Sequence, residues 1–190
     1  IVTSIVGIWQ YRITFEGVQN HAGTTRMAIR RDAGLAAARL AVEIAERMPK
    51  VAGERSVWTV GRITLEPGQV SIIPGSAEMM FQIRDADADV LDRMQELLFD
   101  CVARLDKAGP CRIRAEAIRK SIPARMDPRL QAAFESAAER HAPKLSTRLP
   151  SGAGHDAQNF ARHVPAAMLF VPSIGGISHH WTEDTKEADV

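Results

Sequence analysis

Apolar and polar residues alternate near the start of the chain, and this pattern predicts a half-buried strand over Trp9–Phe15. Tyr11, Ile13 and Phe15 fall on one face and polar residues on the other. A repeat of two residues is the period of a strand with one buried face. The apolar residues 1–8 also favour a strand, because they lack the basic residues and the cleavage site of a signal peptide.

Two amphipathic helices and three further strands are predicted in the first two thirds of the chain. Apolar residues recur at helical spacing over 28–48 and 88–107, and Gly109-Pro110 stops the second helix. Strand-like runs, separated by turn residues, cover 57–65, 77–84 and 111–117. The order β-α-β-β-α-β predicts a four-stranded antiparallel sheet with both helices on one face, an α+β arrangement.

The last third of the chain has the pattern of an α/β domain. Asp127-Pro128 predicts a helix start, with a capping residue followed by proline at the first helical position. A glycine-rich loop at 151–156, a short helix at 157–163, an apolar strand at 166–171 and a second glycine-rich loop at 173–180 follow. Apolar strands that lead into such loops are typical of α/β domains, whose binding sites lie at strand ends. The segment is too short to be a whole domain of this kind, so we expect an incomplete one.

Composition narrows the function classes. The chain has 190 residues, 45% of them hydrophobic, and its 24 basic and 23 acidic residues leave a net charge of +1. The lack of a basic stripe and the low aromatic content of 5% argue against nucleic-acid binding. No apolar run reaches the roughly 18–20 residues of a membrane-spanning helix. Cys101 and Cys111 fall at apolar positions of predicted elements, which indicates buried thiols in a reducing, cytoplasmic setting.

The two ends of the chain do not resemble natural termini. The chain begins at Ile1, without a methionine, inside a strand-like run. It ends at Val190, directly after the acidic stretch 183–189. We therefore expect a fragment of a longer protein.

Two residues in the first two thirds of the chain stand out as candidates for ligand binding. His21 lies between an asparagine and a flexible Ala-Gly pair, where it is placed either to approach a ligand or simply to bond its own loop. Arg84 points away from the apolar face of its predicted strand. A guanidinium there suits two-point binding of a carboxylate, and a solvated surface charge has the same pattern.

The two glycine-rich loops carry the remaining candidates, His155-Asp156 and His179-His180. Such histidines act as metal ligands, acid–base groups or oxyanion donors, or simply as hydrogen-bonded loop residues. Adjacent histidines do not easily bind one metal ion, so at most one of His179 and His180 is expected as a ligand. Their spacing resembles neither a zinc finger nor an H-E-x-x-H helix, and the pattern alone leaves these alternatives open.

Four strings, which together span nearly the whole chain, resemble one enzyme family. They are FEGVQNHAGTTRMAIRRDA, IIPGSAEMMFQIRD, PSGAGHDAQ and VPSIGGISHHWTEDT. The chain is similar there to the dinuclear-metal amidohydrolases that include N-carbamoyl-L-amino-acid hydrolase, β-ureidopropionase and allantoate amidohydrolase. These enzymes are relatives of aminoacylase and of zinc peptidases.

The resemblance implies a catalytic α/β domain that is interrupted by a lid domain, which also forms a homodimer. Residues 1–7 would end the first catalytic segment, and residues 8–118 would be the lid. Residues 119–190 would be the last, incomplete part of the metallohydrolase catalytic domain.

The resemblance also implies roles for single residues. His21 matches the lid histidine that polarises the scissile carbonyl, often in the site of the partner subunit. Arg84 matches the arginine that binds the substrate carboxylate, and His179 matches the last metal ligand. The other substrate-binding positions would be Asn20, Ser71, Gly154 and His155. Ser71 stands where the family commonly has asparagine, so this position leaves the exact substrate open.

The implied activity of the full-length protein is metal-dependent hydrolysis of a C–N bond. The substrates would be small carboxylates: N-carbamoyl amino acids, carbamoyl-β-alanine or allantoate. Two divalent ions (Zn, Mn, Co or Ni) would activate a bridging water, with the general-base glutamate lying outside this chain. The fragment alone would be inactive because its metal site is incomplete. Two alternatives remain, a non-catalytic dimerisation module and an aminoacylase or peptidase of the same superfamily.

Overall fold

The computed structural model describes residues 1–190 and separates them into two compact units. The first unit consists of Ile1–Ile5 and Ala124–Val190. The second, which is the larger unit, consists of Val6–Pro123. In chain order the strands are β1 Val2–Ile5, β2 Gly7–Glu16, β3 Asn20–His21, β4 Val57–Glu66, β5 Ile72–Ile73, β6 Ser76–Asp85, β7 Arg112–Lys120, β8 Ala124–Arg125 and β9 Leu149–Ser151. The α-helices are α1 Ala33–Arg47, α2 Ala88–Ala108, α3 Pro128–His141 and α4 Asp156–Phe160, and short 3-10 turns lie at Met27–Ile29, Met48–Lys50, Ile174–Gly176 and Glu187–Asp189.

The second unit is built on a four-stranded antiparallel sheet in the order β4-β6-β2-β7. The central strands β2 and β6 pair without a register shift from Gly7 opposite Asp85 to Glu16 opposite Ser76. Helices α1 and α2 both contact β2 and β6 through buried side chains, so they lie on one face of the sheet. The predicted β-α-β-β-α-β arrangement is confirmed.

The helix-facing side of this sheet carries the core of the unit. Tyr11, Ile13 and Phe15 of β2 are buried there together with the alternate residues of β6. Burial of one large apolar side chain stabilises a fold by about 1.5–3 kcal/mol. The opposite face stays polar, with an ion pair between Arg12 and Glu116 at 2.8 Å. The alternation in the sequence therefore decides which face meets the helices.

Helix α1 begins at Ala33 and not, as predicted, at residue 28, because a side chain caps it at Asp32. The Asp32 carboxylate accepts a hydrogen bond from Leu35 N at 2.9 Å and so satisfies one free amide of the first turn. Residues 27–29 form a separate 3-10 turn.

None of the helices is both long and apolar enough to cross a membrane.

The first unit holds a smaller, three-stranded sheet in the order β8-β1-β9. β1 pairs antiparallel with β8 and parallel with β9, and its Val2 and Ile5 are buried with Ala124 and Met126. The Asp127 carboxylate caps α3 by accepting hydrogen bonds from the amides of the first turn. The predicted helix start at this aspartate is confirmed.

Two elements predicted for the first unit differ in the structure. The apolar segment 166–171 is not a strand, because it joins no ladder: it makes one backbone hydrogen bond to β1 and one to Asp127. A strand needs repeated hydrogen bonds with a neighbour. The helix predicted over 157–163 is shorter and ends at Phe160, where a turn follows.

Residues 119–123 lie with the larger sheet, although the sequence assigned them to the incomplete catalytic segment, residues 119–190. Strand β7 continues to Lys120. Ser121 then accepts a hydrogen bond from Ile8 N through its Oγ at 2.8 Å, which holds the chain against β2. The predicted lid, residues 8–118, falls within this unit.

A buried carboxylate joins the two helices of the larger unit. Glu43 on α1 is 8% exposed and accepts hydrogen bonds from Arg104 of α2 at 2.9 Å and from Arg47 at 3.0 Å. The hydrogen bond from Arg104, together with that from Arg47, outweighs burial and holds the pKa of Glu43 below its ordinary value. Arg47 also donates to Asp100 of α2 at 2.6 Å, so the network ties both helices.

We predict that Glu43→Gln lowers the free energy of unfolding by about 1–3 kcal/mol at pH 7, because hydrogen bonds to a charged acceptor are weakened. The folded-state pKa is depressed, so this contribution is complete above the ordinary glutamate pKa of about 4.3 and is lost as pH falls through the folded-state pKa. Urea unfolding at pH 7 and at successively lower pH should show the gap between wild type and variant narrowing in acid.

The control is Glu46→Gln, an exposed glutamate on the same helix that takes part in no ion pair. It should change stability little. An equal loss in the control, or a Glu43→Gln effect that is constant with pH, would contradict the assignment.

Candidate functional site

A short ladder holds the loop that carries the predicted histidine. Strands β3 and β5 pair antiparallel over two residues each. Beyond the ladder, Ala22 N donates to Ser71 O at 2.9 Å. The structure thus brings together Asn20, His21 and Ser71, three residues that were predicted as site residues from distant parts of the sequence.

Two backbone amides orient the His21 imidazole. Gly23 N and Thr24 N donate to its Nδ1 at 3.0 and 3.2 Å. A neutral imidazole whose Nδ1 accepts carries its proton on Nε2. Because the residue is exposed, Nε2–H is left to donate to a ligand. Asn20 Oδ1 accepts from His21 N at 2.8 Å, so this oxygen stabilises the loop, while the amide nitrogen of Asn20 can donate to a ligand.

A close backbone approach at Gly17 fixes where this loop leaves the sheet. Val18 N donates to Arg31 O at 2.8 Å, and Gly17 N donates to Gly75 O at 2.8 Å. A Cβ at position 17 would lie 2.1 Å from Arg31 O, so only glycine allows the approach. The loop with His21 is therefore held at both ends, at the exit of β2 and at the entry to α1.

Arg84 lies on the polar face of the larger sheet, near the end of β6. Its neighbours across the ladders are Ile8 on β2 and Val57 on β4. The guanidinium is half-buried, and its Nη2 donates to Gln82 Oε1 at 3.3 Å. This setting orients an arginine over the sheet, which is suitable for two-point binding of a carboxylate.

His21 and Arg84 lie at opposite ends of the larger sheet. The His21 loop adjoins the end at which β6 begins with Ser76, and Arg84 is eight residues further along this strand. At the rise of an extended strand, eight residues span about 26 Å. Neither side chain crosses such a distance to a shared small ligand. The structure therefore does not bring these two predicted site residues together within one chain.

In the first glycine-rich loop, His155 is held by a serine. Its Nε2 lies 2.7 Å from Ser151 Oγ, and its ring lies 5.6 Å from that of Phe170. The Ser151 hydroxyl also accepts from Ala153 N at 3.2 Å, within the loop that includes Gly154. These bonds leave Nδ1 as the nitrogen of His155 that is available to a ligand.

In the second glycine-rich loop, His179 and His180 are both exposed. His179 has a positive φ of 57°, which is uncommon for a residue other than glycine. Its amide donates to Glu183 Oε2 at 2.7 Å, which stabilises this conformation. In His180 it is the ring that is bonded, because its Nδ1 lies 2.8 Å from Thr182 Oγ1.

The side chains of this chain do not by themselves form a metal site. No three His, Cys, Asp or Glu side chains lie close enough together to hold an ion. Stable sites in proteins use three or more ligands.

Arg30 was missed by sequence reasoning. Its Nε donates to Thr25 O at 3.0 Å and its Nη2 donates to Ala22 O, so its side chain binds two carbonyl oxygens of the His21 loop. The sequence does not distinguish it from Arg31 beside it, whose side chain bonds to Pro110 O instead. Only the path of the chain shows which arginine faces the loop.

Known proteins resemble this chain both in sequence and in fold. The family model for peptidase family M20/M25/M40 matches residues 14–190. An allantoate amidohydrolase of Escherichia coli (strain K12) is 38% identical over 192 residues, which cover 100% of this chain and 46% of the relative. An N-carbamoyl-L-amino acid amidohydrolase of Geobacillus stearothermophilus is 33% identical, over 98% of this chain and 45% of the relative. The crystal structure of an amidase of the hydantoinase/carbamoylase family from Burkholderia phymatum has a TM-score of 0.90 at 43% identity, over 98% of this chain and 45% of that one.

The chain thus spans less than half the length of these relatives. The family match nevertheless includes residues of both structural units. A match that extends from within β2 to the last residue shows that the chain belongs to peptidase family M20/M25/M40.

Proposed function

We propose that the complete protein hydrolyses a non-peptide C–N bond in a ureido compound that carries a carboxylate. N-carbamoyl amino acids, carbamoyl-β-alanine and allantoate are the candidate substrates, and the names of the relatives support this class. The observation that carries the proposal is the state of His21. Its Nδ1 accepts two backbone hydrogen bonds, so Nε2–H is prepared to donate to a carbonyl oxygen.

In this proposal His21 stabilises the oxygen of the scissile carbonyl. When water adds to the carbon, negative charge develops on that oxygen, and a donor held in place beforehand stabilises this charge without reorganisation. Asn20 and Ser71 adjoin His21 and would contact the same part of the substrate. The roles of Gly154 and His155 in the substrate pocket rest on the sequence resemblance.

Arg84 would bind the carboxylate and thereby position the substrate. A guanidinium offers paired N–H donors that match the two oxygens of a carboxylate. Gln82, two residues before Arg84 on the same strand, accepts a hydrogen bond from Arg84 Nη2 at 3.3 Å and so restricts the guanidinium. Holding the reacting groups in one geometry is a large part of catalysis in a hydrolytic enzyme.

Amidohydrolases of this family are generally metal-dependent. We propose two divalent ions, Zn, Mn, Co or Ni, for the complete protein, with His179 as one ligand. An exposed imidazole on a turn that is held by Glu183 is chemically suited to this role. The remaining ligands would have to come from other parts of the protein.

Each site would need residues from two chains. The His21 loop adjoins the start of β6, and Arg84 lies eight residues along this strand, about 26 Å by strand rise, which is too far for one small substrate. A two-fold dimer solves this problem if the His21 end of one sheet lies by the Arg84 end of the other, because the symmetry then builds two equivalent sites.

The β4 edge of the larger sheet is the proposed dimer surface. β4 has a neighbour on one side only, which leaves a row of backbone groups free for pairing. Apolar side chains continue from this edge onto α1: Leu35, Val42, Ile63 and Leu65 are 41%, 57%, 42% and 36% exposed. Exposed apolar side chains beside an unpaired strand are typical of an interface.

A second candidate, a non-catalytic dimerisation module, is favoured by the same exposed edge. A sheet of this kind pairs edge to edge without any catalytic group. This reading also agrees with the lack of a three-ligand cluster in the chain. It differs from the first proposal in requiring nothing of His21 or Arg84, so the effects on turnover of changing these two residues separate the proposals.

We also propose a reducing, cytoplasmic setting. Cys101 and Cys111 are both buried and form no disulfide. Burial raises the pKa of the Cys101 thiol to about 11, so it stays protonated and unreactive at neutral pH. Such thiols serve as small core residues.

We predict that His21→Ala in the complete protein lowers kcat about 100- to 1,000-fold, as expected for the loss of one oxyanion donor. Turnover of N-carbamoyl amino acids, carbamoyl-β-alanine and allantoate is measured with added Mn, Zn or Co. His141→Ala, at the exposed end of α3, is the control and should keep full activity. If both variants had the same turnover, the assignment of His21 as the donor to the carbonyl oxygen would be wrong.

Mixed dimers test whether the site is shared. We predict that His21→Ala and Arg84→Ala are each inactive as homodimers, and that mixing the two restores about a quarter of wild-type activity. Half of the dimers formed by random exchange contain one chain of each kind, and each of these has one intact site. If both residues served the same chain's site, every site would stay defective and no activity would return.

The edge prediction concerns Ile63→Lys on β4. A buried charge at the proposed interface should raise the Kd of the dimer tenfold or more, which is about 1.4 kcal/mol or more, as measured by sedimentation velocity. Ile118→Lys is a matched control, because Ile118 is also 42% exposed but lies on the opposite edge strand, β7. Unfolding curves verify that both variants remain folded, and an equal effect of the two would move the interface away from β4.

A further inference from the structure

The His21 loop is held together by an arginine that touches no proposed ligand position. Arg30 donates through Nε to Thr25 O at 3.0 Å and through Nη2 to Ala22 O. Thr25 Oγ1 in turn donates to His21 O at 2.7 Å, which closes the turn. One cation therefore fixes the carbonyls on both sides of the Gly23-Thr24 pair.

The bond to Ala22 O acts directly on the imidazole of His21. The carbonyl of Ala22 and the N–H of Gly23 belong to one planar trans peptide unit and point in opposite directions. When the guanidinium of Arg30 holds the carbonyl, the N–H is directed at His21 Nδ1, which it meets at 3.0 Å. A charge-assisted hydrogen bond on the carbonyl also polarises the peptide and strengthens the N–H as a donor.

We propose that Arg30 is a positioning residue that keeps the proton of His21 on Nε2 and points Nε2–H outward. As long as Nδ1 is occupied as an acceptor, the opposite tautomer would place two N–H donors against an N–H group. Arg30 thus decides which nitrogen of His21 faces the substrate. Its effect on turnover rests on the proposed function, whereas its effect on the tautomer is a property of this chain alone.

Arg31 provides a matched comparison. It follows Arg30 in the sequence and also donates to a backbone carbonyl, that of Pro110 at 2.8 Å. Pro110 lies between α2 and β7, away from the His21 loop. Removing the Arg31 side chain therefore removes a similar bond without touching the Ala22-Gly23 peptide.

The tautomer is measured by long-range 1H–15N NMR on the chain labelled with 15N-histidine, and the His21 signals are assigned by their loss in His21→Ala. Spectra are recorded at about pH 8.5, because a free histidine side chain, with its ordinary pKa of about 6.5, is neutral there. We expect a protonated Nε2 and an unprotonated Nδ1 in the wild type. In Arg30→Ala the two 15N shifts should move towards each other as the tautomers mix, while Arg31→Ala should leave them unchanged.

Kinetics on the complete protein give the second readout. Arg30→Ala should lower kcat about 10- to 100-fold and change KM less, because a donor displaced by about 1 Å costs up to about a hundredfold. Arg30→Lys, which keeps the charge without the fork of donors, should lie between the wild type and Arg30→Ala. Added ethylguanidine should restore part of both the activity and the 15N pattern in Arg30→Ala, and this rescue excludes a general loss of folding.

A double-mutant cycle decides whether Arg30 acts through His21. If it does, Arg30→Ala has little further effect on kcat in the His21→Ala background. An unchanged 15N pattern in Arg30→Ala, or the same kcat loss with and without His21, would overturn the positioning role. If His21→Ala itself leaves turnover intact, the proposed function fails, and the NMR result still decides the role of Arg30.

Discussion

The pairing of β2 with β6 is the constraint on which the rest of the larger unit depends. The ten-residue register from Gly7 opposite Asp85 to Glu16 opposite Ser76 has no bulge, so the two strands form one rigid ribbon. Its apolar face binds both helices and forms the core. Its polar face and its two ends carry the candidate chemistry, and their separation is set by the strand length.

The site loop is precise because it is short and fastened at several points. Gly17 permits the close backbone approach to Arg31, and the β3–β5 ladder ties the loop to the segment before β6. Within this frame Arg30 orients the peptide that meets His21. Rigid elements on both sides hold a loop histidine in one tautomer, which a flexible loop would not do.

Sequence patterns predicted the periodic elements well and the aperiodic ones less well. The alternation at Tyr11, Ile13 and Phe15 identified the buried face of β2, because side-chain direction in a strand depends on position alone. The start of α1 was misplaced, since the Asp32 cap depends on a hydrogen bond that hydrophobic spacing does not reveal. The segment 166–171 has the composition of a strand but lacks a ladder partner, and composition does not report partners.

By itself the sequence determined the β-α-β-β-α-β order, the buried faces and, through its motifs, the family, because periodicity and motifs are local properties of a chain. It also singled out His21 and Arg84 by residue type. Only the tertiary structure decided that these two lie at opposite ends of one sheet, and that Arg30 and not Arg31 grips the histidine loop. Both outcomes depend on strand register and on how the chain turns back on itself, which are set by hydrogen bonds between separate segments.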